Sequence, residues 1–177
     1  MKPRMILVSG PRGAGKTTLL QKTLAALAPR NLDVSGILSR PVVEQGIKVA
    51  IDGQDLRTRQ VRRLAELNPG RAGQLDTRQW SFDPQAMRWA DDVLARACPC
   101  DLLVVDELGV LEFERGLGWQ SGLRALDEGP YRLALAVIRP ELLTAAQVRW
   151  PAAEVEKVPS ISRPPDLPAL LRKYLLQ

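Results

Sequence analysis

The 177-residue chain contains no histidine. Every mechanism that turns on an imidazole is therefore excluded, His-based triads and HExxH zinc chemistry among them. Cysteine is almost as scarce. Cys98 and Cys100 flank Pro99 too closely for an ordinary structural disulfide, which fits a reducing compartment. With no histidine and no second cysteine pair to complete a tetrahedral zinc site, the Cys-Pro-Cys run reads as small apolar residues beside a strand. Aromatic residues make up 5% of the chain, and none falls between Arg57 and Arg78. That stretch holds the densest basic cluster, Arg57, Arg59, Arg62 and Arg63, so the cluster lacks the stacking platforms that nucleic acid favours. No apolar run approaches the ~20 residues that span a bilayer, and Met1–Val8 is too short for a signal peptide before it meets a glycine loop. A membrane is not an expected partner, and the expected location is cytoplasmic.

What is present suits a globular protein: 45% hydrophobic and 25% charged residues, at a length that predicts one domain over residues 1–177. The net charge is +5, and 19 of the 25 basic residues are arginine, whose planar fork matches phosphate. Along the chain, strand and helix patterns alternate. Arg4 to Ser9 is a short apolar strand, and Lys16 to Ala28 carries Leu19, Leu20, Thr23, Leu24 and Leu27 at helical spacing. Asp33 to Ser39 reads as a strand, followed by an exposed hairpin of Pro41 to Val43 and Ile47 to Ile51 about Gln45-Gly46. Gln54 to Gln79 has weak periodicity and stays unassigned. Ser81 to Ala97 predicts a helix, with Asp83 as cap, Pro84 at its first position, and Met87, Ala90, Leu94 and Ala97 on one face. Leu102 to Val105 and Tyr131 to Ile138 are apolar enough to be strands buried on both faces. Helices are expected over Trp119 to Leu126 and from Pro140 to Val148, and a last strand over Glu154 to Val158. A proline-rich loop then leads to a terminal helix bearing Leu170, Leu171, Tyr174 and Leu175. This alternation predicts an α/β fold, a mainly parallel sheet with helices on both faces and a small β-hairpin excursion.

Gly10-Pro11-Arg12-Gly13-Ala14-Gly15-Lys16-Thr17 satisfies the P-loop pattern GxxxxGK[ST] in the required place, between a strand and a helix. Glycines let backbone N–H groups converge on phosphate, and the helix N-terminus adds its positive end. Lys16 is expected to reach the β- and γ-phosphates, Thr17 to ligate a magnesium ion that bridges them, and Thr18 to support the helix or touch the α-phosphate. A carboxylate at the end of an apolar strand completes a metal site, and Asp101-Leu-Leu-Val-Val-Asp106 is such a Walker B strand. Asp106 would act through a metal-bound water. Glu107 beside it is the candidate general base for the water that attacks the γ-phosphate.

Asp106-Glu-Leu-Gly-Val-Leu-Glu112 resembles the DEIGxxE signature of the small nucleoside-triphosphatases of the thermophile-type NTPase family. Gly36-Ile-Leu-Ser-Arg40 with the Gly46 hairpin, and Trp80-Ser-Phe-Asp83, are similar to further segments of that family, so the resemblance covers about residues 4 to 160. It implies a RecA-like P-loop fold and magnesium-dependent hydrolysis of ATP, GTP and other nucleoside triphosphates with loose base selectivity. The sequence departs from the family in carrying Arg12 within the loop and in its arginine-rich segment after the hairpin. In a RecA-like sheet the strand ending at Ile138 lies between the P-loop and Walker B strands. Arg139 is then either an arginine finger in cis or a surface residue before a helix. Arg12 reads as a phosphate or partner contact, and Glu112 as an acceptor behind the site or a surface acid. Trp89, Trp119 and Trp150 read as core or interface groups. The alternatives to an NTPase are a nucleotide or small-molecule kinase, with residues 54–79 as lid, and a partner-activated NTP-binding module. Nucleic acid is a disfavoured partner, and no protein partner is indicated.

Overall fold

The computed structural model describes residues 4–159 together with Asp166, Leu167, Leu171 and Leu175. The first half contains β1 (Arg4–Ser9), α1 (Lys16–Leu27), β2 (Val34–Glu44), β3 (Ile47–Asp55), β4 (Val61–Leu67), β5 (Trp80–Phe82) and α2 (Pro84–Ala95). The second half contains β6 (Cys100–Leu108), α3 (Val110–Phe113), α4 (Gln120–Glu128), β7 (Tyr131–Ile138), α5 (Leu143–Arg149) and β8 (Glu154–Lys157). The strands form one eight-stranded sheet in the order β5-β4-β3-β2-β6-β7-β1-β8. Strands β2, β6, β7, β1 and β8 are parallel, and β3, β4 and β5 extend the sheet antiparallel.

The apolar runs of the parallel strands divide between two faces because side chains alternate along a strand. Ile6, Val8, Leu102, Val104, Leu133, Leu135 and Val137 pack on one face with Leu19, Leu20 and Leu27 of α1. Met5, Leu7, Leu103, Val105, Ala134, Ala136 and Ile138 pack on the other with α2, Leu123 and Leu126 of α4, and Ala146 of α5. Each fully buried leucine in these layers contributes roughly 1.5–3 kcal/mol. Strands buried on both sides need no alternation of polar residues, which is why β6 and β7 read as continuous apolar runs.

Helix α2 begins as its sequence dictates. The Asp83 carboxylate accepts from the N–H groups of Gln85 (2.7 Å) and Ala86 (3.4 Å), Pro84 occupies the first turn, and Met87, Ala90 and Leu94 face the core. Ser81 and Phe82, expected in this helix, belong instead to β5. Trp119 and Trp150 are buried, and Trp150 meets Phe113 edge to face at 6.0 Å. Trp89 donates to Gln60 Oε1 at 3.1 Å and lies under the Arg62 guanidinium.

The hairpin is larger than the sequence spacing implies. Strand β2 runs unbroken through Pro41 to Glu44, and β3 and β4 continue the ladder through the segment left unassigned. Pro41 is tolerated because β2 pairs with β6 only as far as Ile37; beyond that point it has a single neighbour, and a missing donor on the open side costs nothing. Leu171 and Leu175 are helical and buried, while Leu170 and Tyr174 lie outside the described residues. Among the described residues no helix is long and apolar enough to cross a membrane.

Candidate active site

Strands β1, β6 and β7 deliver their carboxyl ends to one edge of the sheet, where ligands of open α/β folds bind. After β1 the chain turns through Gly13 (φ 76°) and Gly15 (φ 86°), both left-handed and accessible to glycine at little cost, and α1 starts at Lys16. The Ala14 N–H donates to the Pro11 carbonyl at 3.1 Å, closing the loop. Pro11, Arg12 and Gly13 are exposed, while Gly10, Ala14 and Lys16 are buried. Lys16 Nζ folds back over the loop and donates to the carbonyls of Gly10 (2.7 Å) and Pro11 (3.1 Å). Thr18 is exposed on the first turn of α1.

Across β7, which separates the two strands as expected, the fully buried Asp106 meets the first turn of α1. Its Oδ2 accepts from Thr17 Oγ1 and from the Ser39 N–H, each at 3.1 Å, and the Ser39 hydroxyl donates to its backbone carbonyl. Burial, and then the charge of Glu107, push the Asp106 carboxyl up to about 7, against the pull of Ser39, Thr17 and Lys16. Its other oxygen, Oδ1, is buried and makes no hydrogen bond among the described residues. A threonine hydroxyl beside an unspent carboxylate oxygen is a hard-oxygen donor set, and it fits Mg2+ completed by phosphates and water.

Glu107 is half-buried next to Asp106, and Arg139 Nε donates to its Oε1 at 2.7 Å. Arg139 follows the end of β7, the strand between β6 and β1. Its terminal nitrogens make no hydrogen bond among the described residues. Glu112 is neither exposed nor in the site. It is buried behind the loop, where Oε2 accepts from Gly109 N–H (2.8 Å) and Oε1 from Trp119 N–H (3.0 Å), while burial raises its carboxyl pKa. The glutamate of the Asp106–Glu112 motif thus holds the turn after β6.

The antiparallel half of the sheet contributes residues that sequence reasoning did not single out. Arg12 Nη1 donates to Gln79 Oε1, tying the phosphate loop to the start of β5. Lys48 of β3 is half-buried, with Nζ 4.9 Å from the centre of the Trp80 ring. Burial lowers its pKa, and its charged neighbours are Glu107, Arg12, Asp106 and Arg139. Ser39 and Trp80 lie within segments that carried the family resemblance, so a signal for them existed. Lys48 and Gln79 had none, because only strand register brings them here.

The arginine cluster, in contrast, disperses. Arg57 grips Asp33 with Nε (3.1 Å) and Nη2 (2.8 Å) and donates to the carbonyls of Arg96, Ala97 and Pro99. Arg63 pairs with Asp52 at 2.5 Å, and Arg62 covers Trp89. Arg57, Arg62 and Arg63 thus tie strands and loops together, while Arg59 lines a cavity along α1 that Arg57 and Arg40 also line.

A strand-to-helix phosphate loop facing a buried strand-end aspartate across one intervening strand defines the P-loop nucleoside-triphosphate-binding class. Within that class, a family model described as NTPase matches residues 5–142, and the chain belongs to this family. The nucleoside-triphosphatase THEP1 of Pyrobaculum aerophilum is 35% identical over 107 residues, which cover 60% of this chain and 58% of that protein. The relative of the same name from Thermofilum pendens is 27% identical over 72% of this chain and 70% of its own. Among solved structures, THEP1 from the hyperthermophile Aquifex aeolicus shares the fold with a TM-score of 0.73 at 17% identity, covering 98% of this chain and 99% of that one.

Proposed function

We propose that this chain hydrolyses nucleoside triphosphates to the diphosphate and phosphate, with magnesium and with several bases accepted. The observation that carries the reading is the meeting of Thr17 with Asp106 at 3.1 Å, with a free buried Asp106 oxygen and with Glu107 alongside. The names of the relatives support hydrolysis. Gly10, Pro11, Arg12, Gly13, Ala14, Gly15, Lys16, Thr17 and Thr18 bind the triphosphate, and Lys16 carries the charge of its outer phosphates. Thr17 and Asp106 would hold Mg2+, which would supply positive charge to neutralise the triphosphate. Glu107 accepts a proton from water as the water oxygen bonds to the γ-phosphorus. The bond from that phosphorus to the bridging oxygen breaks, and its electron pair leaves on the diphosphate. Arg139 orients Glu107 through Nε and leaves its terminal nitrogens for the developing charge.

A kinase needs an acceptor cavity beside the γ-phosphate. A cavity of about 490 Å³ lies along α1, lined by Leu24, Leu32, Leu38, Arg40, Leu56 and Arg59 among others, but no residue of the phosphate loop, Asp106, Glu107 or Arg139 lines it. That cavity therefore does not adjoin the phosphate loop and is not an acceptor pocket for the γ-phosphate. The test is phosphate release from ATP, GTP, CTP and UTP with magnesium, beside Lys16→Ala and Glu107→Gln. Release from several bases is expected, abolished by the first variant and lowered roughly 10²–10⁴-fold by the second. Tight nucleotide binding without release would overturn hydrolysis by the isolated chain.

A further inference from the structure

We propose that Lys48 is a further catalytic residue, delivered by the β2–β3 hairpin to contact the γ-phosphate and stabilise the charge that develops there. The inference rests on the hydrolase reading and adds a cation that no P-loop or Walker motif contains.

Three observations meet at this side chain. Its location comes first: Lys48 stands over Trp80, whose neighbour Gln79 accepts from Arg12 of the phosphate loop, and the charges that act on it are those of Glu107, Arg12, Asp106 and Arg139. Second is its lack of a polar partner. Lys48 is half-buried, yet it makes no hydrogen bond and no salt bridge among the described residues, and its contact is the face of Trp80 at 4.9 Å. A lysine ammonium has three donors, and withdrawing it from water is costly unless an anion meets it. Of the two carboxylates that act on it Glu107 pulls the harder, but Arg139 already engages Glu107 at 2.7 Å. The donors of Lys48 are therefore unspent beside the place where phosphate oxygens would lie.

The third observation is how firmly the platform under it is held. Trp80 is buried, pairs with Leu67 of β4, and exchanges hydrogen bonds with Thr77 on both its N–H and its carbonyl. Its neighbour Gln79 accepts from Arg12 of the phosphate loop. Strand β3 in turn pairs with β2, Val43 opposite Lys48, across an irregularity in register between Val42 and Val43. The ammonium is thus presented from a paired strand over a buried ring, the kind of preorganised charge that favours a transition state over a ground state. Lys48 transfers no proton and forms no bond. Water still adds to the γ-phosphorus, its proton still passes to Glu107, and the diphosphate still leaves with the electron pair.

The experiment compares wild type, Lys48→Met, which keeps the stem against Trp80, and Lys48→Arg, which keeps the charge. Three quantities are measured: kcat and KM for ATP with magnesium, thermal melting, and equilibrium affinity for ADP with and without aluminium fluoride, a mimic of the phosphoryl group in flight. Lys48→Met is expected to lower kcat about 100-fold, with KM and ADP affinity within threefold and melting close to wild type. Its affinity for ADP with aluminium fluoride should fall by a factor similar to the loss in kcat. Lys48→Arg should recover part of both. A Lys48→Met variant that hydrolyses within twofold of wild type, or one that loses ADP affinity as much as it loses kcat, overturns the assignment. If Lys48→Met does not fold, Lys48→Arg carries the test: aluminium fluoride affinity reduced less than kcat would count against a charge role. Wild-type protein that releases no phosphate overturns the hydrolase reading itself, a result distinct from either outcome for Lys48.

Discussion

Replacing Asp106 by asparagine removes one buried titration and leaves the surrounding contacts in place. Asn Oδ1 can accept from Thr17 and the Ser39 N–H as Asp106 Oδ2 does at 3.1 Å. In the metal-free protein the Asp106 pKa stands at about 7 against an ordinary 3.8, raised first by burial and second by Glu107. The folded state therefore retains a proton that the unfolded chain releases. The stability this contributes is fully present below the unfolded-chain pKa and is lost as the pH rises through about 7. A shift of roughly 3 units corresponds to about 4 kcal/mol at 1.36 kcal/mol per unit, of which roughly 2–3 kcal/mol falls between pH 5 and 8. For a chain of this length that amounts to a Tm lower by about 5–10 °C at pH 8 than at pH 5. Thermal melts in EDTA across that range measure it. The Asp106→Asn variant should lose most of this slope, whatever its absolute Tm. Parallel pH profiles for the two proteins would refute the reasoning, because they would mean that Asp106 ionises alike in the folded and unfolded chains.

Two further substitutions test the structure around the site. Gly36 sits at φ +114° in β2, and a Cβ there would lie 1.9 Å from the Val104 carbonyl oxygen of β6. Gly36→Ala should destabilise by at least about 3 kcal/mol in urea unfolding, from the strained dihedral and the displaced pairing together; a loss below about 1 kcal/mol would contradict that backbone approach. Glu112→Gln places an amide NH2 opposite either Gly109 N–H or Trp119 N–H, leaving one buried donor without an acceptor. A loss of roughly 1–3 kcal/mol is expected by the same measurement, and unchanged stability would show that the carboxylate does not brace the turn after β6.

The P-loop pattern and the apolar strand that ends in Asp106-Glu107 were legible in the sequence, and the place of the strand ending at Ile138 between β1 and β6 followed from the family resemblance. Gly10–Thr17 is a contiguous backbone device, and its glycine turns and helix start are fixed within eight residues. The runs 102–105 and 131–138 announce doubly buried strands by composition alone. Asp83-Pro84 announces a helix start because the cap bonds within three residues of itself. The arginine-rich segment was not legible. Its strand β4 is specified by pairing with β3, and the partners of its charges lie at Asp33 and in the 96–99 turn, far along the chain.

The sequence by itself thus determined the parts whose physics is local: strand and helix periods, a capped helix, a loop that presents N–H groups, and the acid pair Asp106-Glu107. The tertiary structure decided which distant side chains complete the site. Register across β3, β4 and β5 carries Lys48 over Trp80, the β5 end sets Gln79 against Arg12, and the turn after β7 puts Arg139 on Glu107. Such meetings depend on strand order and register, which are set by burying both faces of the sheet at once, and no short run of residues encodes them.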